Sequence, residues 1–145
     1  MSELSGSTIV CFPIFLSPIF LLMMPRFVIL LHETPPEYAR AAHYDLMLEQ
    51  AEALWTWACE SLPAANKSVS AERLADHRLA YLDYEGPVFG NRGSVQRVAS
   101  GEYELLAATG EEVRVRLTGD SLSGELVLTR DAAATNLWTV SLSAD

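Results

Sequence analysis

The chemistry of this chain gathers on three histidines, His32, His43 and His77, and on the carboxylate two residues after the second of them. In His43-Tyr44-Asp45 an imidazole and a carboxylate are two positions apart. On a strand such residues point to the same face, so the two groups converge on one point. His32 ends the preceding apolar run, and a hairpin between the two runs brings it across from that face. Two imidazoles with one carboxylate suit Mn²⁺, Fe²⁺ or Zn²⁺ and leave coordination positions open. A closed structural zinc site instead wants four ligands, usually with cysteines. Open positions are what hydrolysis or phosphate binding needs. The same spacing also describes an ordinary hydrogen-bonded His–Asp pair, and spacing alone leaves both readings open. His77, beside Asp76 in a polar stretch, reads from its neighbours as a surface residue.

The elements that must position these groups read as strands. Residues 27–32 (FVILLH) form an apolar run fit for a buried strand. HYDLMLE, from His43, alternates, with His43, Asp45 and Met47 on one face and Tyr44, Leu46 and Leu48 on the other. Residues 53–59 (ALWTWAC) make a third strand, and residues 36–42 (PEYARAA) suit one helical turn. Residues 60–76 are polar, small and irregular, which predicts a long loop with at most a helical turn near 70–74. Residues 81–88 lead into the glycine-punctuated GNRGSV, and residues 102–107 make a short strand. Residues 113–117 (VRVRL) and 125–130 (ELVLTR) form a hairpin, and residues 138–142 end the fold. Short strands at regular intervals predict a mostly β fold, a barrel or sandwich rather than a layered α/β protein.

The length of 145 residues suits one domain. Ten lysines and arginines stand against nineteen aspartates and glutamates, a formal charge of −9. That balance argues against tight, non-specific duplex binding, which needs a basic face. Contact with nucleic acid would be local, at an end or a single phosphate. Cys11 and Cys59 form no CxxC pair, so the chain reads as a protein of a reducing compartment without a disulfide.

Residues 8–24 (TIVCFPIFLSPIFLLMM) are apolar except for one threonine and one serine. A secretory signal would carry a basic n-region and a small-residue cleavage site, and neither is present. A membrane span wants about 20 apolar residues, and Pro13 and Pro18 interrupt this shorter run. The favoured expectation is that translation starts at Met24. Residues 1–23 are then a doubtful leader, and residues 24–145 a cytoplasmic, monomeric domain with no membrane contact.

Six ordered blocks strengthen the metal reading: RFVI…H, HYDLMLE, LWTWA, DHRLAYLDYEG, SLSGELVLTR and NLW, running from Arg26 to about residue 138. In that order they resemble the 3'-phosphoesterase domain of bacterial DNA ligase D. Its signature reads roughly H-x-A-x-x-L-H-Y-D-x-R-L-E, then S-W-A, E-D-H-P-x-x-Y-x-x-F-E-G and L-x-G-x-x-x-L-x-R. His43-Tyr44-Asp45, Leu48-Glu49, Trp57-Ala58, Asp76-His77, Tyr81, Glu85-Gly86, Leu122, Gly124, Leu128 and Arg130 match it. The resemblance implies a small closed β-barrel of about eight antiparallel strands with short helical turns. It also implies a stand-alone hydrolase of DNA end repair that uses Mn²⁺, or another divalent transition ion. Its substrate would be a 3' end of DNA or of an RNA-DNA primer, and its partner a DNA ligase or end-joining protein. His32, His43 and Asp45 would hold the metal. His77 would engage the scissile phosphate with Tyr81 beside it, and Arg92 is a further candidate phosphate contact.

The chain also departs from that pattern. Two residues after the motif aspartate the family has a phosphate-gripping arginine, and here Met47 stands instead. A thioether makes none of the bidentate, charge-assisted contacts of a guanidinium. The lysine expected after S-W-A is missing from Cys59-Glu60-Ser61-Leu62, and Ala75 and Leu30 replace a glutamate and a glutamine. Losing one charge-assisted contact costs ~1.5–3 kcal/mol, roughly one to two decades of rate. The resemblance relates those lost polar positions mainly to ribonucleotide removal, which implies that this activity fails before phosphate removal, with Arg92 or Arg73 as candidate replacement cations. Two other readings stand behind the enzyme. One is a catalytically weak module that docks on DNA ends or a ligase, and the other is a phosphoesterase for a small non-nucleic ester.

Overall fold

The computed structural model describes residues 24–133 and 136–144. The apolar leader 1–23, with its competing readings and Cys11, lies outside the described residues. Nine strands and one short 3-10 helix follow in order: β1 (Arg26–Glu33), β2 (His43–Glu49), β3 (Leu54–Cys59), β4 (Lys67–His77), the helix Leu79–Leu82, β5 (Gly86–Pro87), β6 (Ser94–Ala108), β7 (Glu112–Gly119), β8 (Gly124–Arg130) and β9 (Leu137–Ser143).

All strand pairs are antiparallel, in the order β1-β2-β3-β4-β9-β8-β7-β6-β5, and β6 also pairs with β1. That last pairing closes every strand but β5 into a hydrogen-bonded ring, as expected of a barrel, with β5 paired only to β6. Register shifts in the β1–β6, β3–β4 and β6–β7 ladders make the ring irregular. Among the described residues no helix is long and apolar enough to cross a membrane.

Alternation of side chains builds two apolar clusters. The larger fills the ring with Phe27, Ile29, Leu46, Leu48, Trp57 and the inward residues of β6 to β9. Trp57 meets Trp138 edge to face at 5.6 Å. The smaller cluster uses the other face of the same strands: Val28, Leu30, Met47 and Leu54 pack with Leu82 and Val95. Strands β1 and β2 are thus buried on both faces, which explains why FVILL is continuously apolar.

Two expectations are corrected. The stretch expected to be a loop with a helical turn contains β4, whose only fully inward apolar groups are Val69 and Ala71. Pairing with β3 and β9 specifies this strand, whose small and charged residues have weak intrinsic preference for it. Residues 36–42 form bends and one hydrogen-bonded turn, Tyr38 N–H to the Pro35 carbonyl at 3.0 Å, rather than a helical turn. A lone helical turn fixes several residues for one hydrogen bond, which is unfavourable in so short a segment.

Candidate functional site

The register of the β1–β2 ladder sets the site. His32 lies opposite His43, Leu30 opposite Asp45 and Val28 opposite Met47. The even positions of β1 and odd positions of β2 therefore share the outward face, away from the ring's core. One donor atom from each of His32, His43 and Asp45 lies within 4.8 Å of the others. Asp45 is 2 % exposed and His43 6 %. His32 Nδ1 is 3.4 Å from Asp45 Oδ2, and His43 Nε2 is 3.0 Å from Oδ1.

Both imidazoles are oriented from behind by backbone. His43 Nδ1 lies 2.8 Å from the Ala41 carbonyl, and His32 Nε2 lies 2.7 Å from the Arg92 carbonyl. A carbonyl only accepts, so each of these ring nitrogens carries the hydrogen and donates it. In the neutral imidazoles the other nitrogen is a lone pair, and both lone pairs face the Asp45 carboxylate. Acceptors face acceptors, and only a proton or a cation between them resolves the contact. Asp45 Oδ1 is correspondingly buried without a well-directed hydrogen bond, despite the short approach of His43. Burial pushes the Asp45 carboxyl upward, but His32 and His43 outweigh it and hold the group below its ordinary value. Hydrogen bonding to Asp45 raises His32 above its own, against burial. This donor set fits a divalent transition ion: outer partners fix the tautomers of metal-ligating histidines in just this way.

A cavity of about 440 Å³ opens over the three groups. Its lining includes His77, Tyr81, Arg92 and Met47, so His32, His43 and Asp45 share one cavity with His77, Tyr81 and Arg92. His77 donates from Nδ1 to the Ala75 carbonyl at 2.9 Å, leaving Nε2 as its free ring nitrogen. Its ring stands 5.9 Å from that of Tyr81. Met47 is 1 % exposed, held in the smaller apolar cluster beneath the cavity. Arg73 does not reach the cavity. It pairs with Trp57 across β3–β4, so it shares the inward face and lies 4.6 Å over the Trp57 ring.

Sequence reasoning missed Tyr38, Arg40 and Arg78, which also line the cavity. Arg40 is tied to Glu72 of β4. Arg78 follows His77 directly, where the signature has proline, and that replacement was the signal available. The turn that presents Arg92 depends on Gly93, whose φ is +91°. A Cβ there would collide with the Glu33 carbonyl oxygen and lie 2.9 Å from Thr34 Cα. The bare backbone lets this turn reach the end of β1, where the Arg92 carbonyl meets His32.

Cys59 is a free thiol inside the ring, pushed up to about 12 by burial, so it is no nucleophile.

A family model described as the DNA ligase D 3'-phosphoesterase domain matches residues 37–130. No curated protein matches the chain. The matched stretch contains His43, Asp45, His77, Tyr81 and Arg92, whereas His32 precedes it and joins the group through the β1–β2 register.

Proposed function

The chain belongs to the DNA ligase D 3'-phosphoesterase domain family, and from that membership and the residues of the cavity we propose that it is a Mn²⁺-dependent phosphoesterase acting on 3' ends in DNA end repair. The observation that carries the metal is the pair of histidine lone pairs turned on one buried carboxylate, each fixed by a backbone carbonyl behind it. His32, His43 and Asp45 would hold the ion, and when bound it supplies Lewis-acid polarisation of the phosphoryl oxygens.

The chain's own groups do the rest. In hydrolysis of a 3'-phosphate, a water oxygen bonds to phosphorus, the bond from phosphorus to the sugar 3' oxygen breaks, and that oxygen gains a proton. His77, with Nδ1 committed to the Ala75 carbonyl, presents Nε2 to stabilise phosphate charge or give that proton. Tyr81 stands against its ring and limits its orientation. The guanidinium groups of Arg92 and Arg78 offer the charge-assisted contacts that Met47 does not make. A cytoplasmic setting, with a DNA ligase or end-joining protein as partner, belongs to the same reading.

The test is release of phosphate from a 3'-phosphorylated primer-template in Mn²⁺, with His43→Ala as control. We expect metal-dependent release that the variant loses. Release that needs no metal, or that proceeds equally in the variant, defeats the reading.

A further inference from the structure

A second cavity, of about 230 Å³, adjoins the first and shares Arg78, Tyr81 and Arg92 with it. Its remaining wall is formed by Ala80, Pro87 and two aromatic rings, Tyr84 and Phe89. Phe89 is 89 % exposed, far more than any other large apolar side chain described, and Tyr84 is 38 % exposed. Tyr84 is set at 85° to Tyr81, ring centroids 5.9 Å apart, and its hydroxyl is tied to the Pro87 carbonyl. The ring is therefore presented rather than free to turn.

The two shared arginines are unlike the others. Arg26 is engaged by Asp83, Arg40 by Glu72, Arg73 by Asp76, Arg97 by Glu85, Arg114 by Glu112 and Glu125, Arg116 by Glu125, and Arg130 by Glu111. Arg78 and Arg92 have no acidic partner among the described residues, in a chain of net charge −9. Arg92 donates only through Nε, to the Phe89 carbonyl at 2.7 Å, which leaves both terminal nitrogens for another acceptor and joins the arginine to the aromatic turn. Two guanidinium groups without an acidic partner, between a candidate phosphate site and exposed aromatic rings, fit a nucleotide: phosphate on the cations, base on the rings.

We propose that this second cavity is the base subsite, which stacks the unpaired 3'-terminal nucleobase on Phe89 and Tyr84 while Arg78 and Arg92 hold the adjoining phosphate. The inference rests on the reading of the first cavity as the phosphate-processing site, and deepens it by naming the substrate as a single-stranded or frayed end. A paired terminal base exposes only its outer face and is held in place by its partner strand, whereas an unpaired base can enter the cavity and meet both rings. In a chain of net charge −9, affinity for an anionic strand must come largely from stacking and from these local contacts. Stacking is also tolerant of sequence, because every base has a π face.

The experiment is fluorescence anisotropy with a 5'-labelled, 3'-phosphorylated single strand, against the same strand with an abasic 3'-terminal residue and against a blunt duplex. Removing the base should weaken binding to the wild type about tenfold, and the duplex should bind more weakly than the single strand. In Phe89→Ala the advantage of the base should fall to near unity. Phe89 is almost fully exposed, so the variant should fold. Equal affinity with and without the base, a preference that survives both Phe89→Ala and Tyr84→Ala, tighter binding of the duplex, or no binding of any strand overturns the proposal. These readouts are independent of turnover. Base preference without phosphate release would remove the phosphoesterase and leave the subsite, whereas phosphate release without base preference would do the reverse.

Discussion

His32 and His43 stand directly opposite one another across the β1–β2 ladder, their rings 4.9 Å apart, and each gives its outer N–H to a backbone carbonyl. The two carbonyls come from different places, Ala41 just before β2 and Arg92 in the turn before β6. The site therefore depends on closure of the ring, because β6 must pair with β1 for the Arg92 carbonyl to arrive.

This arrangement makes stability depend on pH in opposite senses with and without metal. His32 is raised above 6.5 chiefly by its hydrogen bond to Asp45. Its contribution is fully present below 6.5 and is lost as pH rises through the raised value. Asp45 is lowered from 3.8: burial opposes the shift, and the two histidines produce it. Its contribution is present above 3.8 and is lost as pH falls through the lowered value. The metal-free protein should thus melt highest between these limits and lose Tm above about pH 6.5. Mn²⁺ takes the proton's place, so its stabilising effect should grow with pH over that same rise. Thermal melts with and without Mn²⁺ across the range check this, and a Mn²⁺ effect that is absent or flat with pH contradicts it.

Asp45 and His77 should separate metal binding from turnover. Asp45→Asn keeps the size but removes the charge facing both histidines, and should lower Mn²⁺ affinity by roughly 100-fold, with activity falling alongside. His77→Ala touches none of the three ligands. It should leave Mn²⁺ affinity in calorimetry near that of wild type while kcat falls by roughly 100-fold or more. Equal losses of metal in both variants would mean that His77 belongs to the ligand set.

Much of this was legible in the sequence. HYDLMLE alternates, so on a strand His43 and Asp45 share a face, and a hairpin with the preceding run would set His32 across from them, as the β1–β2 register does. Strand β4 was illegible for a physical reason: in KSVSAERLADH the inward positions are small, and pairing partners far along the chain decide its conformation. The two carbonyls that orient the histidines were also hidden, since a backbone acceptor leaves no mark on residue type. Arg78 was visible only as a departure from a signature. Nothing in its neighbours says that the 3-10 turn aims it at a cavity.

Gly93 links the turn to His32 of the proposed metal set. Its φ of +91° is strained for any L side chain. An added Cβ would meet the Glu33 carbonyl oxygen, which is backbone and cannot step aside cheaply. Gly93→Ala should cost about 1–3 kcal/mol of stability from the backbone conformation alone. Relieving the collision should also move the Arg92 carbonyl away from His32 and weaken Mn²⁺ binding by about 10- to 100-fold, as loss of an outer partner does. Denaturant melts and metal titration on the same variant read both effects. A stability loss with unchanged metal affinity would show that His32 keeps its orientation without that carbonyl.

Met47 stands where the resemblance places a phosphate-gripping arginine, and substitution there tests the proposed site. It is the next outward residue after Asp45 on β2, 1 % exposed, packed with Val28, Leu54, Leu82 and Val95 below the cavity. Met47→Arg should have effects of opposite sign. Forcing a longer charged side chain into this packing should cost about 1–3 kcal/mol of stability. Its guanidinium, emerging beside the ligand set, should add a charge-assisted phosphate contact of about 1.5–3 kcal/mol, which is one to two decades in kcat/KM if felt in the transition state. Met47→Lys should gain less, because an ammonium offers a point charge and no bidentate fork. Melting temperature falling while kcat/KM for 3'-phosphate release rises, in the order Arg, Lys, Met, would identify the position as an emptied phosphate contact of a working enzyme. Activity that stays undetectable in all three, with end binding intact, would favour the module that docks on DNA ends without processing them.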